Sequence, residues 1–138
     1  MRLLSIGIMA IGVALAGCVA TTAPGIRTGV AGTKVVLDGK PLQINAWYSL
    51  NADCSSRGLA RVRIVSPPQG GSIDIREAPD YPSYSGLNSR AHCNKQRILM
   101  TQAFYVPRPD FKGLDSFRLE TVFPTGNAQV VTYRVEVR

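Results

Sequence analysis

The stretch Val131-Thr132-Tyr133-Arg134-Val135-Glu136-Val137-Arg138 alternates apolar and polar residues without a break. A period of two marks a β-strand with one buried and one wet face. Phe117, Leu119, Thr121 and Phe123 alternate with Arg118 and Glu120 in the same way. Between the two runs, Pro124-Thr125-Gly126-Asn127 has the composition of a turn. Together they predict a hairpin, and an all-β setting for whatever it packs against.

Upstream, residues 98–106 form a long apolar run rich in β-formers, stopped by Pro107. Residues 59–65 read as a strand ended by Pro67-Pro68, and a further strand covers 71–75. Lys34-Val35-Val36-Leu37 and Leu42-Gln43-Ile44 flank Asp38-Gly39, a dipeptide that favours hairpin turns. Pro41 confines its strand to an edge or an early position. The expectation is a sandwich of about seven antiparallel strands over residues 33–138 with no helix. Residues 77–95 break the pattern. They carry Pro79, Tyr81, Pro82, Tyr84 and Cys93, and read as a long loop inserted in the sandwich. Tyr81 and Tyr84 either pack onto the sheets or are displayed to a ligand.

From residue 104 the chain runs Phe-Tyr-Val-Pro-Arg-Pro-Asp-Phe-Lys-Gly-Leu-Asp-Ser-Phe. This resembles a signature of bacterial Ig-like and cadherin-like repeats, matched here by Tyr105, Pro107, Phe111, Gly113, Asp115 and Phe117. Residues 68–73 are similar to the Pro-x-x-Gly-x-hydrophobic opening of such repeats. The likeness covers residues 60–138 and implies an Ig-like β-sandwich. The motif is a corner: Phe111 and Phe117 would plug the core from both sides of a turn. Gly113 permits positive φ there, and the Asp115 carboxylate can accept backbone N–H bonds within the turn. The resemblance implies a structural role for Asp115 rather than a catalytic one. Related repeats bind calcium at their junctions, but one copy with few grouped acids does not suggest it. The 77–95 insertion departs from the family pattern, and any activity particular to this chain is expected there.

At the other end, Arg2 precedes an apolar run over residues 3–16, interrupted only by Ser5, Gly7 and Gly12. As a helix it would span about 21 Å, short of the roughly 30 Å of a bilayer core. The run ends in Leu15-Ala16-Gly17-Cys18, which resembles the lipobox of bacterial lipoproteins. Ala14-Leu15-Ala16 also fits an ordinary signal-peptidase site, but a free thiol at the cleavage point has little use in a secreted protein. The resemblance implies that residues 1–17 are a signal peptide and that Cys18 becomes the lipidated first residue, anchored to membrane lipid by its acyl chains. Val19, where an Asp commonly signals inner-membrane retention, implies the outer membrane, facing the periplasm. Residues 18–32, small and Gly-rich, read as a flexible tether.

The chain carries a formal net charge of +7, which becomes +6 once Arg2 is removed with the leader. A basic chain favours acidic partners. In an envelope these are lipid phosphates, acidic polymers or another envelope protein, not nucleic acid. Arg61 and Arg63 would share one strand face, and Arg134 and Arg138 another. A solvated basic surface is the plainer alternative.

With Cys18 lipidated, Cys54 and Cys93 remain, and outside the cytoplasm an isolated pair is expected to bond. His92, the one histidine, adjoins Cys93. No cluster of three or four ligands accompanies it, so no metal or other cofactor is expected. The same histidine is the one candidate base, and no phosphate loop is present, so the chain does not read as an enzyme. The expected function is a non-enzymatic binding or structural module of the envelope. Arg61 and Arg63 are candidate contacts for phosphates or acidic protein surfaces in that reading, and the alternative is a carbohydrate- or peptidoglycan-binding module using Trp47, Tyr81 and Tyr84.

Overall fold

A computed structural model describes residues 26–138. The expected signal peptide and Leu15-Ala16-Gly17-Cys18 lie outside the described residues. The chain forms eight strands: β1 Ile26–Val30, β2 Lys34–Val36, β3 Leu42–Trp47, β4 Arg61–Ser66, β5 Gly71–Asp80, β6 Ile98–Pro107, β7 Gly113–Val122 and β8 Ala128–Val137. One sheet has the order β1-β8-β7-β4, with β2 also on β8; the other has the order β3-β6-β5. Their inner faces meet in one core, an all-β sandwich. Ile44, Trp47, Ala103 and Tyr105 come from the smaller sheet, and Val36, Phe117, Leu119, Tyr133, Val135 and Val137 from the larger.

The C-terminal hairpin is present, with β7 and β8 paired from Gly113↔Val137 to Val122↔Ala128. Alternation decides it: Phe117, Leu119, Thr121, Tyr133, Val135 and Val137 all turn inward and are buried. Phe123 closes the turn through N–H bonds with Asn127 and Gly126.

Four expectations are corrected. The strands number eight, and β1 and β2 pair with β8 in parallel, so the larger sheet is mixed. The segment 26–30, expected to belong to the tether, is strand β1. Its Gly and small residues give no alternation, and its hydrogen bonds come from β8. The Asp38-Gly39 turn forms, with Lys40 donating to the Leu37 carbonyl and Gly39 at φ +68. It joins no hairpin, because β2 pairs with β8 and β3 with β6, across the sandwich. Finally, β5 runs to Asp80, so the loop starts at Tyr81, and residues 91–95 form a short 3-10 turn. Pro79 is tolerated there because β5 is an edge strand.

The corner motif is built as a network. The buried Asp115 carboxylate accepts N–H bonds from Gln69 at 3.0 Å and Gly70 at 2.7 Å, an O–H bond from Tyr105 at 2.9 Å, and the Ser116 N–H at 2.8 Å. Only the Ser116 bond is local. The others tie the β4–β5 connection to β6 and β7, so Asp115 clamps across the sandwich rather than within one turn. Burial, together with the hydrogen bond and charge of Asp115, pushes the Tyr105 hydroxyl up. Tyr105 stacks on Phe117, and Phe117 on Tyr133, at 5.9 and 5.5 Å between ring centres. Phe111 is half-buried over Gly70, where a Cβ would lie 2.3 Å from its ring. Gly113 has φ +110.

Candidate binding cleft

At the end of the sandwich away from Asp115, β3 leaves the core. Its register shifts between Gln43 and Asn45, a bulge that re-aims the residues after it. Trp47 points inward opposite Thr101 and is 3% exposed. Its Nε1 has no partner among the described residues. This corrects the expectation that Trp47 contacts a ligand: it is core. Tyr48, one residue on, turns the other way.

Residues 81–97 fold back against Tyr48. The Tyr48 hydroxyl accepts the Ser83 N–H at 2.7 Å, and its ring meets Tyr84 edge-to-face at 5.2 Å. Tyr84 and Asn94 exchange two hydrogen bonds of 2.9 Å, backbone to side-chain amide. Burial, and then the neighbouring Tyr48, push the Tyr84 hydroxyl up. Arg90 Nε donates to the Leu50 carbonyl at 2.7 Å, and Arg97 Nη2 to the Pro79 carbonyl at 2.7 Å. A disulfide joins Cys54 to Cys93, and Cys93 is wholly buried. Leu50, Cys93 and Met100 are buried here, apart from the sandwich core.

The result is an open cleft of roughly 330 Å³ between β3 and the start of the loop, lined by Lys34, Gln43, Tyr48, Asp80, Tyr81, Ser83 and Met100 among others. Asp80 is oriented from two sides: Oδ1 accepts the Tyr81 N–H at 2.8 Å and Oδ2 the Gln102 amide at 3.2 Å. Tyr81 is 56% exposed at the rim. An amine, an amide, a carboxylate and two phenol rings beside a buried thioether suit a small polar ligand with one apolar face.

Of the residues singled out from sequence, Tyr81 lines this cleft and Tyr84 supports it by packing on Tyr48. Arg61 and Arg63 are not brought to it. They lie on β4 in the other sheet, where Arg63 pairs with Glu120 and holds that carboxyl low. Arg61 lines a separate groove between the β4 and β5 edges, with Arg76 and Glu77. Sequence reasoning missed Tyr48, Lys34, Gln43 and Asp80. Strict alternation from Ile44 would have turned Tyr48 inward; the bulge between Gln43 and Asn45 reverses the faces, so period two gives no signal for it. The rest depend on how the loop folds back. Cys54, His92 and Cys93 lie together, but both sulfurs are consumed by the disulfide, leaving the imidazole as the one ligand atom of the three.

The chain matches no protein-family model and no curated protein. Among solved structures it is similar to the solution structure of amebosin, with 12% identity and a TM-score of 0.41, over 81% of this chain and 98% of that one. It is also similar to a 2,6-sialyltransferase of Vibrionaceae Photobacterium sp. JT-ISH-224, with 12% identity and a TM-score of 0.33. That match covers 84% of this chain and 18% of the transferase.

Proposed function

We propose that this chain is a lipid-anchored lipoprotein of the outer membrane, whose Ig-like domain is a non-enzymatic binding module working through the cleft beside Tyr81. The cleft carries the reading: a disulfide, reciprocal side-chain bonds and a tyrosine pair hold a long loop open beside polar groups. A loop kept only for connection needs none of these. The strand order supports the Ig-like part. β3-β6-β5 in one sheet and β4-β7-β8 in the other correspond to strands B-E-D and C-F-G of constant-type Ig domains. The lipobox resemblance at Cys18 supports the anchor, and Val19 supports the outer membrane.

Crosslinking in intact cells, followed by pull-down from detergent-solubilised membranes, tests the module. One envelope component is expected on the wild-type chain and lost with Tyr81→Ala. If the two recover the same material, the cleft is not the binding surface. Cys18→Ala is expected to leave the membrane fraction; continued pelleting with membranes would refute the anchor.

The cleft chemistry favours a second reading, carbohydrate or peptidoglycan. Phenol rings beside amide and carboxylate groups match a sugar's apolar face and its hydroxyls. Peptidoglycan sedimentation and glycan arrays decide it, and two negatives would remove it.

A further inference from the structure

Four arginines that are scattered in sequence lie on the outer face of the larger sheet. Register places Arg61 and Arg63 of β4 opposite Val122 and Glu120, Arg118 of β7 opposite Thr132, and Arg134 of β8 opposite Ser116. Arg118 and Arg134 alternate with buried residues and so point outward, and register puts Arg61 and Arg63 on the same face, opposite the outward Val122 and Glu120. Glu120 on this face is paired with Arg63, and Glu136 with Arg138. Arg61, Arg118 and Arg134 form no ion pair among the described residues. Arg118 and Arg134 are diagonal neighbours, about 7–8 Å apart in such a ladder. Like charges set side by side without a counter-charge are not required by folding. Exposed apolar residues share the face: Leu114 is 75% exposed, and Val30 of β1 is 65% exposed opposite Thr132.

Strand β1 adds a distance. It begins at Ile26, so eight residue steps separate it from Cys18, a reach of at most about 28 Å. β1 forms an edge of the same sheet. A domain leashed this closely keeps that sheet near the bilayer, where an anionic surface attracts cations within a Debye length of about 8–10 Å.

We propose that this arginine face docks on the anionic headgroups of the membrane that carries the chain, cations against lipid phosphates and Leu114 and Val30 against the interface. The short leash rests on the lipoprotein reading; the face does not. The cleft, on the other sheet, is then left free for its ligand.

The test uses the purified full chain with phosphatidylglycerol or phosphatidylcholine vesicles, and a photo-crosslinking residue at position 114 or, as control, at position 87 in the opposite loop. Lipid adducts at 114 are expected to exceed those at 87 at least fivefold on phosphatidylglycerol, and to decline with salt and on phosphatidylcholine. Each arginine near such a surface is worth about fivefold in partition, so Arg118→Glu with Arg134→Glu should lower the yield more than tenfold. Lys95→Glu, a charge reversal in the loop at residues 81–97, should stay within about twofold of wild type. Equal yields at 114 and 87, no loss in the double arginine variant, or adducts at 114 in cells that are protein rather than lipid would overturn the proposal. Mass spectrometry of Cys18 on the same sample reports acylation separately, so an unacylated Cys18 sinks the anchor without deciding the face.

Discussion

Strand β6 has a different closure at each end. At Pro107 the chain enters a corner closed by hydrogen bonds to one buried carboxylate, Asp115, with Gln69, Gly70 and Tyr105 converging on it. At Ile98 it emerges from a loop closed by a covalent bond, Cys54–Cys93. The corner is packed on the sandwich core, with Tyr105 and Asp115 both buried. The loop end has a small core of its own, an exposed rim and a cleft. Noncovalent closure there would need apolar area that the loop lacks. A disulfide holds the loop without filling the space beside it, so a binding surface can exist. The difference separates what keeps the domain folded from what it can present.

The largest effect is expected from Asp115→Ala. It leaves four donors without their acceptor, two of them backbone N–H groups in the β4–β5 connection. The loss should be about 5 kcal/mol, comparable with the whole stability of a marginal domain. Denaturant unfolding followed by Trp47 fluorescence reads it. A change below about 1 kcal/mol would show that water satisfies the corner.

Next is Cys54→Ser with Cys93→Ser. Releasing a loop closed over a sequence separation of 39 should cost near 4 kcal/mol in the chain-entropy model. The sharper expectation is spatial. Amide exchange should accelerate across residues 81–97 and stay slow in β7 and β8. Uniform acceleration would mean that the two ends are not separable.

Tyr105→Phe removes one bond to the carboxylate and should cost about 2 kcal/mol. It also has a pH signature. The Tyr105 hydroxyl is pushed up mainly by burial and then by Asp115. An unfolded tyrosine loses its proton near pH 10, roughly its ordinary value, while the folded one keeps it to higher pH. In that window the folded state binds more protons, so stability is complete below about pH 10 and falls as pH rises through it. Tyr105→Phe should flatten that alkaline decline. Part of it should remain, because burial also raises Tyr133. An unchanged slope would detach Tyr105 from it. The smallest expected effect on stability is that of Tyr81→Ala, within about 0.5 kcal/mol for so exposed a side chain, together with loss of whatever the cleft binds.

Legibility in the sequence follows the range of the interactions. The β7–β8 hairpin could be read because alternation and turn chemistry are both local. The Asp38-Gly39 turn is equally plain, yet its two arms join different sheets: a turn dictates its own backbone, not which sheet each arm joins. β1 was invisible because Gly29 and its neighbours carry no pattern, and its pairing energy comes from β8. β5 continues past the expected end at residue 75 to Asp80, because Pro79 is compatible with an edge strand and an edge position cannot be recognised from the strand alone. In the cleft, Tyr81 was legible as a loop aromatic. Trp47 is core and not displayed, and a large ring reads alike in sequence in either place.

The fold class and the pairing of two cysteines could be read from the chain alone, because period two, turn composition and cysteine count act over short range or by simple number. Only the tertiary structure decided which partners Asp115 clamps, that Tyr48 and not Trp47 faces the cleft, and that arginines from β4, β7 and β8 form one face. Each of these depends on sheet register, and register is set by many weak contacts between residues far apart in the chain.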